Sequence, residues 1–327
     1  MGTYHQERPN TIKVELTEGC NLYCQMCGLR GIREKPGGPY LFMGLDMARV
    51  ISRRISKAGW NSKIEFTMRG EPLLNPDTAR IIRIFRKDLP NTHIMVTSNG
   101  IPLLRKPGVF KNLDRLFHCG LNILAMDCYE ASKKTEAQVR QYRDVPVTDY
   151  PGGPSPYSKV KASVQRIILI EDFEKAAIEA SRLGNKIVNN HCGAGAPQLE
   201  EPLAKRCARP FRELVFRFDG NVLLCCNSWR GLYKCGDVED YESVDDLWNN
   251  AAFMAARRKL YHKDRDFGEC AGCDNTSFRV GLLPDYRGQK KLRKPNLEDE
   301  KAIHRAMKGG PWTEPVLRPW ESEEKED

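Results

Sequence analysis

Eight of the twelve cysteines in this 327-residue chain fall in groups, and the grouping narrows the possible folds more than any other feature. Cys20, Cys24 and Cys27 share one short segment. Cys207, the neighbours Cys225–Cys226, and Cys270 with Cys273 follow in the second half, while Cys119, Cys128, Cys192 and Cys235 stand singly. The first ten residues are polar and lack an apolar h-region, so no secretory signal is expected. In a reducing cytoplasm twelve thiols do not read as six disulfides. The grouped ones read as metal or iron–sulfur ligands and the single ones as small buried residues. Gly2 is followed by Gln6 where a myristoylation site wants Ser or Thr. No apolar run approaches the roughly 18 residues of a membrane span, so a cytoplasmic protein without a membrane partner is expected.

The first half alternates strand and helix patterns. Ile12, Val14 and Leu16 share one face of a strand over 11–17, and Met47, Val50, Ile51, Ile55 and Ala58 mark a helix ending at Gly59. Strands are predicted at 63–68, 93–97, 121–126 and 165–170. Helices fall between them: one capped by Asn75 with Pro76 in its first position, one over 109–118, and one over 171–183 before a strand at 186–189. Such alternation indicates parallel βαβ units, hence an open sheet or a (β/α) barrel. The Pro/Gly-rich segment 150–157 reads as a long loop. From Cys207 the pattern changes to short strands at 213–218 and 221–224 meeting at Asp219–Gly220, a hairpin signal, and then a helix over 244–260. Beyond Pro284 the chain is basic and then acidic, a composition that predicts poor order.

The spacing Cys20-x3-Cys24-x2-Cys27, directly after the first strand, suits three irons of a four-iron cluster and leaves the fourth open to a substrate. Zinc would want a fourth protein ligand, and none lies nearby in sequence. Four further thiolates, Cys207, Cys225, Cys270 and Cys273, could close a second four-iron site or a zinc site. On a strand Cys225 and Cys226 would point to opposite faces, so only one of them can serve.

These motifs resemble those of the radical S-adenosylmethionine superfamily over most of residues 11–275. Met26 stands where the superfamily usually has an aromatic residue before the third cysteine. Arg69–Gly70–Glu71–Pro72 resembles its Gly-Gly-Glu-Pro turn, with Arg in the first position. The resemblance implies that Cys20, Cys24 and Cys27 hold a [4Fe-4S] cluster and that Met26, Gly70, Glu71, Asn99 and Asp127 contact S-adenosylmethionine, Glu71 on its ammonium and Asn99 and Asp127 near the ribose. The later cysteines, with Asp219–Gly220, Gly236–Asp237–Val238, Leu247–Trp248 and the final CxxC, resemble a SPASM/Twitch auxiliary-cluster domain. The four-cysteine spacing is similar to the Twitch form, as in 2-deoxy-scyllo-inosamine dehydrogenase, and selects Cys225 over Cys226. The implied architecture is α/β: a partial (β/α)6 TIM-like barrel over 1–190, a small α+β Twitch-like domain over 191–280 and a charged tail over 281–327.

What the resemblance implies about activity is reductive cleavage of S-adenosylmethionine and abstraction of a hydrogen atom from a substrate. A second [4Fe-4S] cluster would accept an electron, and flavodoxin or ferredoxin would supply the first one. Net oxidation of a small molecule is the leading expectation. Modification of a nucleotide, a nucleic-acid base or a peptide stays open, as does a zinc-stabilised nucleic-acid-binding protein. The net charge of +9 and the nine Lys/Arg against four Asp/Glu over 279–308 could attract polyanions, but solvated helix faces explain much of the surplus.

Overall fold

The computed structural model describes residues 7–33, 37–150, 165–170, 190–195 and 198–275. In chain order the strands are β1 (Thr11–Val14), β2 (Thr17–Glu18), β3 (Leu41–Phe42), β4 (Lys63–Phe66), β5 (Ile94–Ser98) and β6 (Ile123–Asp127). They continue with β7 (Val147–Tyr150), β8 (Arg166–Ile170), β9 (Glu213–Phe216), β10 (Asn221–Leu223) and β11 (Lys234–Asp237). Nine of them form one sheet in the order β11-β10-β9-β1-β4-β5-β6-β8-β7, and β2 and β3 form a separate ribbon. Pairing is parallel from β9 across to β7, and β10 and β11 add an antiparallel edge. The mostly parallel α/β architecture expected from the alternation is present.

Helices α1 (Leu45–Lys57), α2 (Thr78–Asp88) and α3 (Val109–His118) cover one face of this sheet. Their stripes of Ile51 and Ile55, Ile82 and Phe85, and Leu113 and Phe117 share a core with Ile12, Val14, Ile64, Phe66, Val96 and Leu124. Each such side chain contributes about 1.5–3 kcal/mol relative to exposure. The Phe66 and Phe85 rings meet edge to face at 5.1 Å. The opposite face is polar around β1, where Lys13 pairs with Glu65 at 3.5 Å, its neighbour in register across β4.

Several local expectations change. Asn75 does not cap α2, which starts at Thr78. Its side chain instead accepts from the Asp77 amide and donates to the Leu16 and Met43 carbonyls, a brace between three segments. The single helix over 244–260 is two, Val244–Trp248 and Ala251–Tyr261. Asn250 breaks it because its side chain accepts from the Phe253 amide as an N-cap. Strands β7 and β11 and helix α4 (Lys133–Val139) had no clear periodicity. The expected helix over 171–183, the strand at 186–189, most of the loop over 150–157, the basic stretch over 279–308 and the acidic tail lie outside the described residues.

Candidate functional site

In a parallel sheet the strands' carboxyl ends open onto one edge, and the loops there carry the candidate groups. The segment after β1 carries Cys20, Cys24 and Cys27 and closes on a 3-10 turn, Gly28–Gly31. A Cβ on Gly28 would stand 2.5 Å from the Trp229 ring, so glycine is what lets that indole lie against the loop. Leu29, Ile32, Ala194 and Trp229 form a small apolar cluster on which Cys20 and Cys27 pack. The Met26 carbonyl accepts from the His191 ring. Burial, with Glu71 nearby, pushes the Cys20 thiol up to about 12. Tyr129, just past β6, was not foreseen as part of the site. Its phenol is held well above the usual range by burial and by Asp127 and the three thiols, which places it beside the cysteine loop.

The Arg69–Pro72 turn is pressed onto the same loop. Gly70 bridges Gly19, and a Cβ there would lie 2.1 Å from the Thr17 carbonyl oxygen, so only glycine allows the two backbones to meet. Glu71 is 2% exposed. It accepts from the Leu73 amide at 2.9 Å, the Ser98 hydroxyl at 2.7 Å and the Asn99 amide at 2.7 Å. Burial outweighs these bonds and pushes its carboxyl up to about 7. Asp127 at the end of β6 is pushed to about 7 as well, by burial and by Glu71. Their mutual repulsion disfavours two negative charges there and favours a cation nearby. Asn99 donates to Asn21 at 2.9 Å and to the Cys20 sulfur at 3.6 Å, and accepts from the Ile101 amide at 3.0 Å, which ties β5 to the cysteine loop.

Arg69, which departs from the superfamily pattern, has a physical reason to be there. Its guanidinium, 3% exposed, donates to both carboxylate oxygens of Glu15 at 2.9 and 3.0 Å, to Glu18, and to the Trp229 carbonyl at 2.9 Å. Arg217 donates to Glu18 at 2.9 Å from the end of β9. Two buried carboxylates and two buried guanidiniums thus join the turn after β4, the end of β1 and the segment after β9.

The second thiol group converges. A cleft of about 300 Å³, open mouth included, is lined by Cys207, Cys225, Cys270 and Cys273, together with Cys192, Arg209 and Arg265. Cys226 is not among its lining. It follows the end of β10 in a turn rather than on a strand, so side-chain alternation is not what separates it from Cys225. The Cys226 sulfur accepts from Arg209 at 2.7 Å and its amide donates to Glu213 at 2.9 Å. Burial pushes its thiol up to about 11 against the pull of Arg209.

Among the described residues no three His, Cys, Asp or Glu side chains converge on a point that one metal ion could occupy. A zinc ion would draw four sulfurs to about 3.8 Å from one another, given bonds of about 2.3 Å. A four-iron cube stands its thiolates further apart, so thiols ringing a cleft suit a cluster better than a single ion.

The radical SAM superfamily profile matches residues 14–193, and an iron-sulfur cluster-binding domain profile matches residues 207–274. GTP 3',8-cyclase 2 of Mycobacterium tuberculosis is 34% identical over 110 residues, 33% of this chain and 30% of that protein. Molybdenum cofactor biosynthesis protein 1 of Dictyostelium discoideum is 35% identical over 127 residues, 38% of this chain and 19% of that protein. The chain therefore spans less than a third of the length of these relatives. The crystal structure of BtrN in complex with AdoMet and 2-DOIA shares the fold, with a TM-score of 0.63 and 18% identity over 84% of this chain and 96% of that one. Among the described residues no helix is long and apolar enough to cross a membrane. The profile match covers more than half of the chain, its cysteine loop and Gly-Glu-Pro turn meet at the carboxyl edge of the sheet, and the protein belongs to the radical SAM superfamily of S-adenosylmethionine- and iron–sulfur-dependent enzymes.

Proposed function

We propose that this enzyme performs a net oxidation, and the observation that carries the reading is the cleft formed by Cys207, Cys225, Cys270 and Cys273. Four thiolates would saturate a cluster and leave no iron for substrate, which suits electron transfer. With both groups bound, the cluster held by Cys20, Cys24 and Cys27 would supply reductive cleavage of S-adenosylmethionine for hydrogen-atom abstraction, and the one held by Cys207, Cys225, Cys270 and Cys273 would supply an acceptor for the substrate's electron. Arg209, which also pairs with the buried Glu213 at 3.4 Å, and Arg265 line the cleft, and positive charge beside it would favour the more negative, reduced state. Cys20, Cys24 and Cys27 would hold the first cluster. Glu71 would hold the cofactor's ammonium, Asp127 would lie near its ribose, and Tyr129 would help keep water from the loop.

Anaerobically reconstituted protein is expected to carry about eight irons, two four-iron clusters, and to release 5′-deoxyadenosine on reduction. Polyols, nucleotides and peptides offered as substrates separate the outcomes. A product lighter by two hydrogens supports net oxidation, and a product isomeric with its substrate overturns it. Similarity to GTP 3',8-cyclase 2 favours a second reading, rearrangement of a nucleotide, which the isomeric product would support.

Two variants test the assignments. Glu71→Gln keeps the buried shape and removes the charge, so S-adenosylmethionine affinity measured by equilibrium dialysis should fall about tenfold, the loss of roughly 1.4 kcal/mol from a charge-assisted bond. Unchanged affinity would take Glu71 out of the ammonium site. Cys225→Ala should lose about four irons and destabilise its surroundings, whereas Cys226→Ser should retain them all. The reverse pattern in iron content would make Cys226 the ligand.

A further inference from the structure

Cys192 belongs to none of the cysteine groups that the sequence singles out, yet the fold brings it to the auxiliary cleft. Asn190 makes this placement. Its amide donates to the Asp274 carboxylate at 2.8 Å, its side chain donates to the Gly272 carbonyl at 2.7 Å, and its side-chain oxygen accepts from the Asp274 amide at 3.2 Å. The segment is thereby clamped to the turn that carries Cys270 and Cys273. Two residues on, Cys192 is 3% exposed and lines the cleft with the four candidate ligands. Its side chain is in hydrogen-bond contact with that of Cys273. Its backbone lies in the left-handed region at φ 54, as does that of His191 at φ 48, which costs roughly 1–3 kcal/mol per residue.

We infer that Cys192 is a fifth thiol of the auxiliary site, a positioning residue whose S–H donates a hydrogen bond to cluster-bound Cys273 and raises the cluster's reduction potential. The physical reason is the charge change. Reduction adds one negative charge to a cluster already held by four thiolates, and part of it falls on the ligand sulfurs. A donor on one of those sulfurs stabilises the reduced state more than the oxidised one. Cys273 bound to a cluster is a thiolate with no proton to give, so a hydrogen bond between the two side chains runs from Cys192 to Cys273. The effect has the same sign as that of Arg209 and Arg265. One thiol and two arginines thus bias one site toward accepting an electron.

This inference rests on the proposed auxiliary cluster, and the experiment keeps the two apart. The full-length protein with Cys20, Cys24 and Cys27 replaced by Ala leaves only the auxiliary cluster to observe. In that background Cys192→Ala and Cys192→Ser are compared with the parent by iron content and by a redox titration followed by electron paramagnetic resonance. The expected result is full iron in all three, a more negative potential in Cys192→Ala, and recovery of most of the shift in Cys192→Ser, whose hydroxyl still donates. Absence of iron from the parent would sink the auxiliary-cluster reading itself. Iron lost only from both Cys192 variants would make Cys192 a ligand and overturn the hydrogen-bond role. Full iron with an unmoved potential would leave Cys192 as packing and overturn it too. If the triple-alanine background is too unstable to load, the same titration on the two-cluster protein serves, because added S-adenosylmethionine perturbs the barrel cluster's signal and marks it apart.

Discussion

Replacing Cys20, Cys24 and Cys27 together by Ala abolishes 5′-deoxyadenosine formation while about four irons stay bound. The three thiols sit on one loop after β1, and the other candidate ligands line a cleft of their own. The loop's fold rests on backbone bonds, such as that from the Cys27 amide to the Cys24 carbonyl at 3.1 Å, and on apolar packing with Trp229, neither of which needs a cluster. The variant should therefore keep its secondary structure and its auxiliary iron. Residual cleavage of S-adenosylmethionine under reducing conditions would disprove the assignment of this loop.

The second large effect is on stability. Arg69→Gly restores the residue that the superfamily pattern favours, and is expected to destabilise the protein by about 3–5 kcal/mol in chemical denaturation. Among the described residues it would leave Glu15 and Glu18, 1% and 4% exposed, with Arg217 as the buried cation close to them. It would also orphan the Trp229 carbonyl that Arg69 now satisfies. A second change, Glu18→Gln, removes one of the stranded charges and should recover part of the loss. If Arg69→Gly alone is neutral, the network contributes nothing to folding and the arginine has another purpose.

The parallel sheet was legible because its strands and covering helices repeat with different periods. Ile12 and Val14 alternate with polar residues, and Ile51 and Ile55 recur one turn apart, so burial on one side determines both. Candidate ligands were legible because cluster chemistry demands thiols at short spacings within a turn. Arg69 was visible only as a departure from a pattern, since its partners Glu15, Glu18 and Trp229 come from segments far apart in the chain. Cys192 and Tyr129 left no local signal at all. One is placed by a clamp between Asn190 and Asp274, and the other by following β6 into a loop whose role is set by its neighbours. Asparagine misled for a reason. Asn75 and Asn250 have the same capping chemistry in sequence, and only tertiary partners decide which one ends or begins a helix.

The pairing of β9 with β1 bears on how this chain could be cut. β1 is fully flanked, by β4 on one side and β9 on the other, with both its edges consumed in parallel ladders. A fragment ending before residue 200 would uncover an apolar strand in mid-sheet, its amides and carbonyls facing outward as a template for another chain. Such a fragment would self-associate into aggregates however well its own cysteine loop could form. The reverse holds for a fragment starting at residue 198, whose three strands would be left without the parallel partner on which β9 is built. Neither piece is a module to be borrowed or fused separately, and gene fusions that keep both will tolerate insertion only in loops outside this shared sheet.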